Sequence, residues 1–245
     1  MKTTLELLFW TLFFLVFYTY LGYGVLATGL VLLRRLIGRR RRVPNNPDFL
    51  PPLTLVVPAY NEIDCLEDKL LNSLSLDYPP EQLRLLFITE GSNDGTPEWI
   101  KGWQRHEPRL EVIGGRERRG KIEAINRAMP HVRTPIVVFT DANTMLNRQA
   151  LRNLVRHFED RRVGAVAGEK RIEALDTEAA AGAGEGLYWK YESWLKKLDT
   201  ELHTVVGAAG ELFAIRTELY QPVERDTLLD DFMISLRIAA WGYRV

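Results

Sequence analysis

Residues 53–62 read Leu53-Thr54-Leu55-Val56-Val57-Pro58-Ala59-Tyr60-Asn61-Glu62. Leu53–Val57 has the length and apolar character of a short strand buried on both faces, and Pro58 is expected to stop it. From Glu62 to Ser75, the apolar residues Ile63, Leu66, Leu70 and Leu74 recur at helical spacing. A buried strand, a polar corner and an amphipathic helix form the repeating unit of a parallel sheet.

Downstream the same alternation continues. Leu83–Thr89 reads as a second strand, Leu110–Ile113 as a third, Ile136–Thr140 as a fourth and Val163–Ala167 as a fifth. Between them, Thr96-Pro97-Glu98 opens a helix with a hydroxyl cap, a proline in the first turn and an acid near the positive end. Lys121–Met129 and Arg148–Glu159 have helical character too, and Ala179–Gly186 reads as a loop leading into an aromatic helix over Leu187–Leu198. The fold class is therefore α/β, a mostly parallel sheet with helices on both faces.

Ligands of such sheets bind beyond the carboxyl ends of the strands. Three strand ends carry polar clusters here: Pro58–Glu62, Thr89–Gly95 and Asp141-Ala142-Asn143. Neither G-x-G-x-x-G nor G-x-x-x-x-G-K-S/T occurs, so dinucleotide and P-loop sites lack their glycines.

Upstream, Leu7–Leu33 is a run of 27 residues without a charge. As a helix it is about 40 Å long, more than the roughly 30 Å of bilayer hydrocarbon, so it can cross with some tilt. Six arginines follow within nine positions, Arg34, Arg35 and Arg39–Arg42. Positive charge on that flank puts the N-terminus outside and the remainder in the cytosol, at a plasma or inner membrane. Anionic lipid headgroups suit these arginines better than nucleic acid does, because they abut the apolar run. Over the whole chain 32 Lys and Arg balance 32 Asp and Glu, and the single cysteine, Cys65, excludes an internal disulfide and a cysteine-rich zinc site. His106, His131, His157 and His203 show no ligand spacing.

Six segments, in order, resemble family 2 glycosyltransferases, above all the membrane-bound processive synthases of cellulose, chitin, hyaluronan and poly-N-acetylglucosamine. They are VVPAYNE (Val56–Glu62), EGSNDGT (Glu90–Thr96), GKIEAIN (Gly120–Asn126), FTDANT (Phe139–Thr144), GAAGELFAIR (Gly207–Arg216) and LDDFMISLRIAAWGYRV (Leu229–Val245). The resemblance implies a GT-A fold, a nucleotide-sugar donor, Mn²⁺ or Mg²⁺, and a glycan or lipid-linked acceptor. Asp141 and Asn143 stand at the D-x-D positions as metal ligands, and strand alternation would put both on one side. The neutral Asn143 departs from the family pattern and leaves more of the metal's coordination to the nucleotide. Ala59, Glu62, Glu90, Lys121 and Asp141 match donor-binding positions. Thr89 stands where the family has a first base-reading acid, so a uridine donor rests on Glu90 alone. Asp230 and Asp231 match the acidic motif, with Asp231 as base.

The expected organisation is an anchor over 1–42, a linker over 43–52 and a GT-A domain over 53–245 that continues beyond Val245, with a UDP-sugar donor and a polysaccharide product. A non-processive transferase acting on a polyprenyl-phosphate or lipid acceptor would use the same donor site. A catalytically silent domain that binds nucleotide sugar is the reading from another class, motivated by Thr89 and Asn143. The aromatics Tyr188, Trp189, Tyr191 and Trp194 suit a sugar path or a packing stripe equally.

Overall fold

The computed structural model describes residues 2–38, 43–44, 46–115, 117–170, 179–208 and 210–245, with backbone alone over 179–185 and at 187. The chain divides into two compact units, Met1–Arg42 with Arg171–Val205, and Val43–Lys170 with Val206–Val245.

In the first unit, helices α1 (Lys2–Phe17) and α2 (Tyr23–Leu36) join through a π-helical turn at Tyr18–Gly22. Together they make the one helix, among the described residues, long and apolar enough to cross a membrane. No residue of α1 is buried, whereas α2 buries Gly24, Ala27 and Val31. Ala27 and Val31 cluster with Leu198 of the third helix of this unit, α7 (Ala179–Leu202). Gly24 admits the Trp194 ring, since a Cβ there would lie 2.7 Å from it. Arg35 grips both carboxylate oxygens of Glu201 at 2.7 and 2.6 Å, and Arg34 donates to the Leu202 carbonyl. Two arginines of the basic cluster thus have protein partners, while Arg39–Arg42 lie outside the described residues. The expected loop over Ala179–Gly186 is helix instead. Alanine carries no helix-propensity cost, and packing of the later turns of α7 on α2 offsets the interspersed glycines.

The second unit is built on a six-stranded sheet in the order β3-β2-β1-β4-β6-β5. Its strands are β1 (Leu53–Ala59), β2 (Leu83–Glu90), β3 (Leu110–Gly115), β4 (Ile136–Thr140), β5 (Ala165–Ala167) and β6 (Leu212–Arg216). The first four are mutually parallel where they pair; β6 runs antiparallel to both β4 and β5. β6 lies inside the GAAGELFAIR segment, whose glycine- and alanine-rich start hid a strand. β1 runs two residues past its expected stop. Its ladder with β4 ends at Val56 opposite Phe139, so Pro58 pairs with Ile88 of β2 on one side only and its missing N–H is spared.

Alternate residues feed two faces. Leu53, Leu55 and Val57, with Leu83, Leu85, Phe87, Ile136 and Val138, form one core. It includes Leu66 and Leu70 of α3 (Ile63–Leu74), Ile100 of α4 (Thr96–Gln104), and Leu151, Leu154 and Val155 of α6 (Ala150–Val155). On the other face, helix α5 (Lys121–Ala128) packs on β1 and β2 through a buried Ala124, Ile125 and Ala128. Helix α8 (Asp230–Ala240) buries Ile234, Ser235 and Ile238. The chain leaves β1 toward β2 on one side and returns to β4 on the other, so the switch point falls between Ala59–Glu62 and Asp141–Asn143.

Candidate functional site

The loops after β1 and β2 are tied together by side chains. Asn61, with φ of 53°, accepts the Asn93 N–H on Oδ1 at 3.0 Å, and its own N–H reaches Ser92 Oγ at 3.1 Å. Asparagine tolerates that left-handed backbone better than a branched residue would. Asp94 accepts the N–H groups of Ile63 at 3.1 Å and Thr96 at 3.0 Å and so links the starts of α3 and α4; the cap position of α4 is Gly95, not the expected Thr96 hydroxyl. Thr96 Oγ1 instead accepts the Glu62 N–H at 3.1 Å. The Arg118 guanidinium stacks 4.0 Å from the Tyr60 ring centre.

Of the residues matched to donor contacts, Ala59 is buried at the end of β1. Glu62 precedes α3 without capping it; its Oε2 accepts the Cys65 thiol at 3.2 Å. Glu90 is turned inward, its side chain 5% exposed and paired with Arg127 of α5. Its Oε2 and the Thr89 hydroxyl are buried without hydrogen-bond partners.

Lys121 and Asp141 meet directly, Nζ donating to Oδ1 at 2.5 Å. Burial pulls the Lys121 ammonium down, but the Asp141 hydrogen bond, with the charges of Asp141, Asp230 and Asp231, outweighs it and raises the pKa. Glu211, paired to Lys170 at 2.8 Å, also feels the Lys121 charge. One rim therefore brings together Lys121, Asp141 and the two acids that open α8. Burial pushes the Asp231 carboxyl up and Asp230 adds to it, while the Phe232 N–H and Lys121 oppose them; the net shift is upward. Asp231 lies over Gly210, where a Cβ would stand 3.1 Å from its Oδ2. Asp230 Oδ2 is buried without a partner.

β4 stops at Thr140, so Asp141-Ala142-Asn143 is a turn, closed by the Thr144 N–H on the Asp141 carbonyl at 3.2 Å. Strand alternation therefore does not orient positions 141 and 143. Asp141 is half-buried and Asn143 exposed. Among the described residues no group of three His, Cys, Asp or Glu converges to hold a metal. One carboxylate and one amide oxygen fit a hard cation such as Mg²⁺ or Mn²⁺ that takes further oxygens from a diphosphate.

Sequence reading missed three contributors, Arg127, Arg118 and Lys69. Lys69 had a visible signal, a lysine three residues after Leu66 on the apolar stripe of α3. It is fully buried. Burial lowers its ammonium to about 8, with Asp141's charge opposing.

A central parallel sheet with an acidic turn at its switch point and an antiparallel strand beyond defines the class, an α/β protein of the GT-A fold. Residues 54–222 match glycosyl transferase family 2, and the chain belongs to that family. It is 26% identical over 208 residues to a poly-beta-1,6-N-acetyl-D-glucosamine synthase of Staphylococcus aureus (strain MSSA476), covering 82% of this chain and 48% of that one. The chain spans about half the length of the curated relatives it matches. Among solved structures, the mannosyltransferase PcManGT from Pyrobaculum calidifontis, in complex with GDP-Man and Mn²⁺, superimposes with a TM-score of 0.76 at 30% identity, covering 93% of this chain and 62% of that one. S. aureus TarS shares the fold, with a TM-score of 0.56 at 13% identity over 76% of this chain and 33% of that one.

Proposed function

We propose that the protein is an inverting glycosyltransferase, anchored in a plasma or inner membrane by Lys2–Leu36, that uses a nucleoside-diphosphate sugar on the cytosolic side and extends a glycan. The proposed organisation keeps an anchor over 1–42, a linker over 43–52 and a transferase domain from residue 53 onward. The observation that carries the reading is the convergence of Lys121, Asp141, Asp230 and Asp231 on one strand rim.

In this reading Asp231 takes the proton of an acceptor hydroxyl as that oxygen attacks the anomeric carbon. The bond from that carbon to the diphosphate breaks on the opposite face, which inverts the configuration. Asp230, with a buried unpartnered oxygen, positions the acceptor. Lys121, at the start of α5, meets the diphosphate. Ala59 and Glu62 line the donor, and Glu90 lies behind the base. Asp141 and Asn143 would hold Mn²⁺ or Mg²⁺, which when bound offsets charge on the leaving diphosphate.

A growing polysaccharide is the proposed acceptor, supported by the likeness to a poly-N-acetylglucosamine synthase. The donor of first choice is a UDP-sugar. A GDP-sugar is the second reading, favoured by the GDP-Man complex of the solved neighbour and by the inward turn of Glu90.

Calorimetric titration of UDP and GDP, each with and without Mn²⁺, tests the donor site. Binding of one nucleotide that strengthens with Mn²⁺ is the expected result; no binding of either sinks the reading. Topology has its own test. Protease added to sealed inside-out vesicles should digest the segment after residue 42, and protection of that segment reverses the orientation.

A further inference from the structure

Lys69 sits on α3 among Leu66, Leu70 and Ser73, all fully buried. A buried ammonium is costly unless its donors are satisfied. Both of its protein acceptors belong to one short turn: Nζ donates to Thr140 Oγ1 at 3.0 Å and to the Thr144 carbonyl. These acceptors bracket Asp141-Ala142-Asn143. Three residues further along α3, Asn72 grips the same segment twice. Its Nδ2 donates to the Leu146 carbonyl and its Oδ1 accepts the Leu146 N–H, both at 2.8 Å. Positions i and i+3 share a helix face, so one rigid helix holds both ends of the turn. The turn's own closure, Thr144 N–H to the Asp141 carbonyl, is longer at 3.2 Å.

We propose that Lys69 and Asn72 are positioning residues that clamp the turn after β4 and thereby fix Asp141 and Asn143 for a diphosphate-bound divalent cation. The inference rests on the donor-site reading of those two residues. Neither Lys69 nor Asn72 touches the donor; each acts through the backbone that carries its ligands. Volume alone does not account for a lysine at this position, because methionine would fill it without burying a charge. Lys121 complements the clamp, holding the Asp141 carboxylate from α5 while Lys69 holds the turn beneath it.

The test uses the full chain in detergent with Lys69→Met, Asn72→Ala, Thr140→Val and Thr140→Ser. Hydrogen exchange over residues 140–147 reads the clamp without any ligand. Lys69→Met and Asn72→Ala should exchange faster there than wild type, with strands β1 and β2 unchanged. Titration of UDP and GDP with Mn²⁺ reads the consequence. Lys69→Met and Thr140→Val should lose about 10- to 100-fold in the Mn²⁺-dependent part of binding, the range for groups that orient metal ligands. Thr140→Ser, which keeps the acceptor hydroxyl, should restore it. If Lys69→Met fails to fold, Thr140→Val against Thr140→Ser carries the same comparison. Unchanged exchange over 140–147, or faster exchange with unaltered Mn²⁺ dependence, overturns the clamp. A wild-type chain that binds neither nucleotide refutes the donor-site reading instead, and the exchange arm still decides whether the clamp exists.

Discussion

Lys121 Nζ and Asp141 Oδ1 lie 2.5 Å apart, joining the first residue of α5 to the turn that follows β4. Their side chains remain 37% and 32% exposed, so solvent screens the pair. An ion pair in that setting contributes about 0.2–1 kcal/mol to stability. Under the proposed function, its part is to place both side chains at the donor site rather than to hold the fold. Lys121→Met should therefore melt within a few degrees of wild type while weakening nucleoside-diphosphate binding. Asp141→Asn should remove most of the Mn²⁺ dependence of that binding. A large drop in melting temperature for Lys121→Met, with nucleotide affinity intact, would assign the pair to structure alone.

Glu90 and Arg127 form the contrasting pair. Glu90 is almost wholly buried, and Arg127 also donates to the Gly114 carbonyl at 3.3 Å. Arg127→Met leaves a buried carboxylate uncompensated, at a cost of about 3–5 kcal/mol. Adding Glu90→Gln removes that stranded charge, so the double variant should recover part of the loss. Denaturant unfolding of the four proteins closes the cycle. A double variant less stable than Arg127→Met would show that Arg127 does not compensate Glu90.

The parallel part of this fold was legible because each β–α unit announces itself locally. Leu53–Val57 and Ile136–Thr140 are compact apolar runs, and Ile63, Leu66, Leu70 and Leu74 keep one period. β6 was not legible, because Leu212–Arg216 is a five-residue, mostly apolar run behind the glycine- and alanine-rich Gly207–Gly210, and it acquires its strand by pairing antiparallel with β4 and β5. The start of α7 was misread for a related reason: glycines argue for a loop locally, while tertiary packing further along favours helix. At the site, the residue types at Lys121, Asp141, Asp230 and Asp231 could be read off motifs. Their pairing could not, since Lys121 and Asp141 are 20 positions apart and meet only because α5, packed on β1 and β2, begins beside the turn that follows β4. The inward turn of Glu90 was likewise set by Arg127, a partner 37 residues away.

Cys65, the single cysteine, makes the β1–α3 corner chemically observable. Burial pushes its thiol up to about 11, and the Glu62 carboxylate adds to that through the 3.2 Å hydrogen bond and its charge. At pH 8 the group is almost entirely thiol, so alkylation by iodoacetamide should be slower than for a free cysteine. Glu62→Gln removes the carboxylate's share but not the burial. The thiol pKa should fall, and alkylation at pH 8 should accelerate about three- to tenfold, up to one pKa unit's worth of thiolate. An unchanged rate would mean that Glu62 does not act on the thiol.

Asp231 offers the sharpest pH test. Its pKa is raised first by burial and then by Asp230, and is opposed by the Phe232 N–H and by Lys121. A general base works only when deprotonated, so activity should fall as pH drops through that raised pKa. The acid limb of kcat/KM should therefore lie above pH of about 4, where an ordinary aspartate titrates. The signs of the two neighbours then separate. Asp230→Asn removes a negative charge, favours the ionised form of Asp231 and should move the limb to lower pH. Lys121→Met removes a positive charge and should move it to higher pH, beyond any change in donor affinity. Asp231→Asn keeps the shape and loses the proton acceptor, so transfer should fall by about a hundred- to ten-thousand-fold. Nucleotide and Mn²⁺ binding should persist in that variant. A limb that stays fixed in both neighbour variants, or an Asp231→Asn enzyme with near wild-type transfer, would place the base elsewhere.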